Sequence, residues 1–153
     1  GKGIEKRFHE RASEREENRG SPSAVRSARR AAAAVRRAMR SRAERARGLM
    51  NRPSMASSAG MLFVYQRTGR VAFWMRNTLI PLDMIFLDQT GTVRRVHENA
   101  IPLDETAIPG GDDIQFVLEI NAGLSSRFGI DEGSVLRHPA IGENAVWGCE
   151  DEN

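Results

Sequence analysis

The sequence predicts an α+β domain: a mainly antiparallel sheet forming a closed or half-closed barrel, with two short helices, preceded by an arginine-rich helical or disordered arm. Three observations carry this expectation. Short apolar runs recur from residue 61 onward, separated by turn-forming residues. Helix boundary signals interrupt them at Ser41–Gly48 and Asn121–Gly129. Charge is also divided along the chain. Residues 1–47 hold fifteen Lys or Arg against six Glu, whereas residues 48–153 hold eight Arg against fourteen acids, so the net +3 joins a basic head to an acidic body.

Residues 1–20 are charged and nearly devoid of aliphatic groups, the composition of a solvated tail. Ser21-Pro22 signals a helix start, with Ser as N-cap and Pro at the first helical position. The arginine and alanine residues that follow favour helix, but Val25, Val35 and Met39 are the only sizeable apolar groups available for burial. A solvated arm is the plain reading of this stretch. Two alternatives stand beside it: contact with nucleic acid or an anionic surface through residues 26–47, or sequence foreign to the fold. The aromatic residues on which single strands stack are missing from it.

Ser41-Arg42-Ala43-Glu44 is a capping box, which starts a short helix that Gly48 can end, turning Leu49 and Met50 inward. The expected division is therefore an arm at 1–40, a domain at 41–140 and an acidic tail at 141–153. Within the domain, Met61–Gln66 and Val71–Met75 flank Arg67-Thr68-Gly69-Arg70, a hairpin signal. Leu82–Asp88 and Thr92–Glu98 flank Gln89-Thr90-Gly91 in the same way. Ile101–Asp113 reads as a loop too polar to pack, and Ile114–Ile120 as a strand. Asn121 is placed to cap a helix through Phe128, with Gly129 as its left-handed stop and Ile130 as apolar cover. A last strand, Ser134–Arg137, follows. The tetrapeptide IPLD occurs at 80–83 and 101–104, too short a match to signal a repeat.

Most reactive side chains have bland readings. Cys149, the only cysteine, lies in a Gly-flanked acidic tail with nothing nearby to activate a thiol. His9, His97 and His138 show no metal spacing, and Gly110-Gly111 lacks the lysine and helix of a phosphate loop. No apolar run approaches the ~18 residues of a membrane span. The carboxylates stand out. Asp83 in PLDMIF and Glu119 in FVLEI each share a strand face with apolar neighbours, so each needs donors or a cation, or a shifted pKa. Arg76, Asn77 and Thr78 are candidate donors, and Trp74 a candidate pocket wall. The plain reading is an internal network that fixes strand register; the functional one is a cleft.

The segments ERARGLMNR (44–52), GMLFVY (60–65), FWMRNTLIPLDMIFLD (73–88) and VLEINAG (117–123) resemble the bacterial and archaeal family known as domain of unknown function 192, over about residues 41–138. The resemblance implies a small α+β domain, often made with an export signal or lipid anchor, and implies no particular reaction. It favours the periplasm or cell envelope, whereas the N-terminus taken as native favours the cytoplasm. Members usually open with a strand just before the segment matching Ser41–Met50. Here that strand would be Val35–Arg40, which carries three arginines.

The expectation is a small-ligand or partner-binding domain, with Trp74, Arg76, Asn77, Thr78, Asp83 and Glu119 as the site. An alternative is a hydrolase- or lyase-like enzyme using Asp83 or Glu119 as acid/base, and another a nucleic-acid-associated protein acting through the arm. No cofactor or metal is expected.

Overall fold

A computed structural model describes residues 5–8 and 38–147. All six residues of the strand Leu82–Leu87 are buried, which decides the architecture. Successive side chains of a strand point to opposite faces, so such a strand must lie in a sheet covered on both sides.

The elements are β1 (Glu5–Phe8), β2 (Ala38–Met39), α1 (Arg42–Arg47), β3 (Gly60–Phe73), β4 (Leu82–Leu87), β5 (Val93–Ala100), β6 (Ile108–Asn121), α2 (Leu124–Phe128), β7 (Ser134–Arg137) and a 3-10 segment (Pro139–Asn144). The main sheet has the order β2-β3-β6-β4-β5. Only β2 runs parallel to its neighbour. A second, two-stranded sheet pairs β1 with β7, and a Thr92–Val135 bridge ties β7 to the β4–β5 turn.

The expected barrel is not formed: β2 and β5 are the sheet's free edges. A barrel hides one face inside itself, whereas here two apolar clusters cover two faces. One gathers Leu62, Ile85, Phe116, Leu118 and Ile120 with Leu124, Leu136 and Ile141. The other gathers Met61, Phe63, Met84, Phe86 and Val117 with Leu49, Met75 and Ile108. Closure is unnecessary once both faces are buried, and the two-residue β2 has little edge to offer. The strand expected at 35–40 thus survives as Ala38–Met39, with Met39 buried, so the sheet begins slightly before residue 41.

Two predicted loops proved to be partners. The hairpin signal at 67–70 makes no turn, because β3 runs unbroken from Gly60 to Phe73. Opposite it lies the first part of β6, which was expected to be loop. The ladder shifts register between Val64 and Gly69 and twice more by Ala72, and Arg70 Nε meets Asp112 Oδ1 at 2.7 Å. Turn propensity yields where a distant strand offers a ladder.

Other signals hold. The Ser41/Glu44 capping box is formed, Gly129 takes the left-handed conformation at φ 65°, and Ile130 is buried. The two IPLD copies differ, since Leu82 is in β4 while Leu103 turns at φ 66°. Ile141 is buried in the first cluster, so packing continues past residue 140. Ser21-Pro22, His9, Cys149 and most of the arm lie outside the described residues.

Gly110 shows how closely the second face is packed. A Cβ there would fall on the Phe86 ring and 2.8 Å from Val71 Cγ2. Gly110→Ala is therefore expected to destabilise the fold by about 1–3 kcal/mol. Urea denaturation reads this directly, and an unchanged midpoint would show that the ring moves aside freely.

Candidate functional site

The polar crossing between β3 and β4 is held mainly by its backbone. Met75 N–H donates to Asp104 C=O at 2.8 Å, Leu103 N–H to Thr78 C=O at 3.0 Å, and Asn51 N–H to Asn77 C=O at 2.8 Å. These bonds tie the crossing to the loops at 49–52 and 101–106. Asn77 is exposed, with φ at 53°, a conformation asparagine tolerates better than most residues. Thr78 is buried and donates to Arg76 C=O at 3.1 Å. The Arg76 guanidinium lies 5.3 Å from the centre of the Trp74 ring and 3.4 Å from Glu105. Arg76 thus turns to the surface and serves neither of the expected carboxylates.

Those carboxylates are separated by the sheet. Asp83 is paired with Ile120, whereas Glu119 is paired with Met84 and Met61. Directly paired residues point to the same face and successive ones to opposite faces, so Asp83 and Glu119 lie on opposite sides.

Asp83 is fully buried and saturated with donors. Its Oδ1 accepts from Asn99 N–H at 2.9 Å. Its Oδ2 accepts from Gly123 N–H and Ser125 N–H, both at 3.0 Å, and from the Ser125 hydroxyl at 2.5 Å. It thereby serves the start of α2, whose N-cap is Gly123 with no local side-chain cap. Asn121, the expected cap, instead donates to Met55 C=O at 2.7 Å. Asp83 therefore acts as a cap supplied from β4.

Glu119 has the opposite environment. It is 5% exposed, and its carboxyl has no hydrogen-bond partner among the described residues. Burial pushes its pKa from the ordinary 4.5 up to about 8. It lies at a cavity of about 370 Å³. Phe63, Tyr65, Phe73 and Trp74 supply the aromatic walls, with Thr78 beside them.

α1 forms the remaining side, and the reason is local. The capping box starts the helix, Gly48 ends it against the Phe63 ring, and buried Leu49 anchors its exit. Arg42, Arg45 and Arg47 consequently line the cavity. Arg45 is fixed in place, donating to Val64 C=O at 3.0 Å and to Arg40 C=O, with its guanidinium 4.7 Å from the Tyr65 ring centre. Burial raises the Tyr65 phenol, while the Arg45 charge opposes that rise and Glu119 adds to it. Of the residues expected to form the site, the cavity unites Trp74, Thr78 and Glu119; Arg76, Asn77 and Asp83 do not line it. Tyr65 and the three arginines were missed. The spacing of Arg42 and Arg45, one helical turn apart behind a capping box, was the available signal.

Comparison with known proteins agrees with this fold. No curated protein matches the chain. A protein of unknown function from Novosphingobium aromaticivorans DSM 12444 is 42% identical, over 65% of this chain and 71% of its own, with a TM-score of 0.63. A candidate transcription regulator from Sinorhizobium meliloti 1021 is also 42% identical, over 67% of this chain and 78% of its own, with a TM-score of 0.65. The family match spans residues 24–138, starting upstream of the β2 strand. The chain belongs to the DUF192 family, described as an uncharacterized ACR.

Proposed function

We propose that the chain is a small-ligand-binding domain, with its ligand seated in the cavity between α1 and the sheet. The observation that carries this reading is Glu119: a nearly buried residue whose carboxyl has no hydrogen-bond partner among the described residues, at a cavity of about 370 Å³. Its oxygens are not among the fully buried unpartnered atoms, so the carboxyl opens on the cavity, where a ligand's polar atom can reach it. The cavity volume is in the range that small-molecule sites occupy.

Thermal-shift screening with a small-molecule library tests the reading when paired with Ala46→Trp. Ala46 is exposed and lines the cavity, so the larger side chain fills the space without entering the core. Compounds that stabilise the parent chain are expected to lose their effect on this variant while its own melting temperature holds. Retention of the same shifts by Ala46→Trp would place binding elsewhere.

A second reading, an enzyme with Glu119 as general acid, is favoured by the raised pKa of a carboxyl facing a cavity. Asp83 has no comparable opening, being buried and held by its donors. Turnover abolished by Glu119→Gln with ligand affinity retained would distinguish enzyme from binder. The third reading, nucleic-acid association, draws on the arginine run at 26–47 and on the description of the Sinorhizobium relative. It predicts steeply salt-dependent DNA or RNA binding that weakens, and loses salt dependence, when Arg26, Arg29, Arg30, Arg36 and Arg37 are replaced by glutamine, measurable by fluorescence anisotropy.

A further inference from the structure

The cavity is asymmetric in a way that restricts its ligand. Its α1 side is lined by three arginines, and its sheet side by one acidic residue, Glu119. The side chains of Arg42 and Arg47 have no hydrogen bond or ion pair among the described residues, whereas that of Arg45 is committed to backbone carbonyls and the Tyr65 ring. Among the described residues, two arginine side chains at the cavity are thus without a partner, and a third adds its positive charge beside them. Between the two poles the lining is aromatic, from Phe63, Tyr65, Phe73 and Trp74.

We infer that the cavity takes an oxyanion, carboxylate or phosphate, carried on a flat apolar body. This inference rests on reading the cavity as a ligand site. The oxyanion sits against Arg42 and Arg47, whose planar guanidinium groups match two oxygens at once. The flat body lies among the aromatic rings, with Tyr65 fixed by the arginine stacked on it. The Glu119 carboxyl, protonated below about pH 8, donates a hydrogen bond to an acceptor at the inner end of the ligand rather than repelling it. A cation fits poorly, since three arginines oppose it and the one acid present is neutral at pH 7.

The charged and titratable groups lining the cavity around Glu119 are Arg42, Arg45 and Arg47 from α1 and Tyr65 from β3. The residues paired with it on β3 and β4, Met61 and Met84, do not titrate. Ionisation of Glu119 above pH 8 therefore places a negative charge beneath the ligand with only the rim arginines to balance it. Oxyanion affinity is expected to fall across that range.

Isothermal titration calorimetry with benzoate, phenyl phosphate, benzamide and acetate tests the inference on the full chain. Benzoate or phenyl phosphate is expected to bind, and the stronger of the two identifies the oxyanion. Benzamide, which lacks the charge, and acetate, which lacks the ring, are each expected to bind about tenfold or more weakly. The double variant Arg42→Gln/Arg47→Gln, both exposed positions, is expected to lose about tenfold in affinity for the tighter probe and most of its salt dependence. Glu119→Gln, whose amide has no proton to release in this range, is expected to remove the decline in affinity between pH 7 and 9, whatever its affinity at pH 7. Benzamide binding as tightly as benzoate, or an unaffected double arginine variant, would overturn the oxyanion assignment. So would failure of both anions at millimolar concentration while library compounds still bind in an Ala46-dependent way. That last pattern leaves the cavity a binding site with another ligand class, whereas anion binding undisturbed by Ala46→Trp rejects the cavity itself.

Discussion

Replacing Asp83 with alanine is expected to destabilise the fold by about 3–5 kcal/mol, less than the sum of about 1–3 kcal/mol for each donor it would orphan. Three backbone N–H groups and the Ser125 hydroxyl converge on a side chain with no solvent exposure. Their sources are spread over the fold, with Asn99 on β5 and Gly123 and Ser125 at the start of α2. A five-residue helix has little stability of its own, and this one has no local side-chain cap. Removing the carboxylate therefore uncouples α2 from β4 and loosens β5 beside it. Ser125→Ala leaves the backbone bonds intact and is expected to lose only about 1 kcal/mol. Urea denaturation measures both effects. Hydrogen exchange adds a local readout, since amides 124–128 should lose protection before those of β6. A stable, normally protected Asp83→Ala protein would mean that the network is not what holds α2, and would return Asp83 to the list of ligand-binding residues.

The contrast between Asp83 and Glu119 shows where sequence reading stops. Both were recognisable as buried carboxylates, because strand alternation places each among apolar neighbours and two strands sufficed to see it. Their relation to one another was not recognisable. It depends on the Asp83–Ile120 pairing, and a slip of one residue would have put both on one face. No signal local to either strand records that register. The crossing at 74–81 was likewise legible as a break between strands, since Pro81 and the polar run interrupt the apolar pattern. What was not legible is that Arg76 would find Glu105 and Trp74 at the surface, because the loop that supplies Glu105 is positioned by backbone hydrogen bonds to Met75 and Thr78.

The same limit explains the two misread loops and the missed arginines. Residues 67–70 and 108–113 each carry turn chemistry, and each becomes strand only because the other lies opposite. Arg42, Arg45 and Arg47 read as part of a short capped helix and of the basic stretch 26–47 open to nucleic acid or an anionic surface. Their role at the cavity follows from how α1 docks, through Leu49 and the approach of Gly48 to Phe63. In each case the local pattern was read correctly and a long-range contact changed its meaning.

Glu119→Gln is expected to make the fold more stable than the parent at pH 8 and above, by an amount on the order of 4 kcal/mol, and to leave it nearly unchanged below pH 4.5. The carboxyl has an ordinary pKa of 4.5 when exposed and about 8 in the folded chain. Below 4.5 it is protonated in both states, so its ionisation does not bear on folding. Between 4.5 and 8 the unfolded chain releases the proton and the folded chain keeps it. The folded state then binds more protons, and stability falls as pH rises, by about 1.4 kcal/mol per unit over that window. Above 8 both states are ionised and the loss levels off. Glutamine has the same shape and no proton to release, so the variant lacks this slope. Urea denaturation of both proteins from pH 4 to 9 gives the test as a difference between two curves, in which titrations common to both cancel. Curves that stay parallel would show that water or an unrecognised partner keeps Glu119 ionised at neutral pH. In that case the carboxyl could not donate a hydrogen bond to a bound oxyanion, and the arginines would face a charge that opposes rather than assists them.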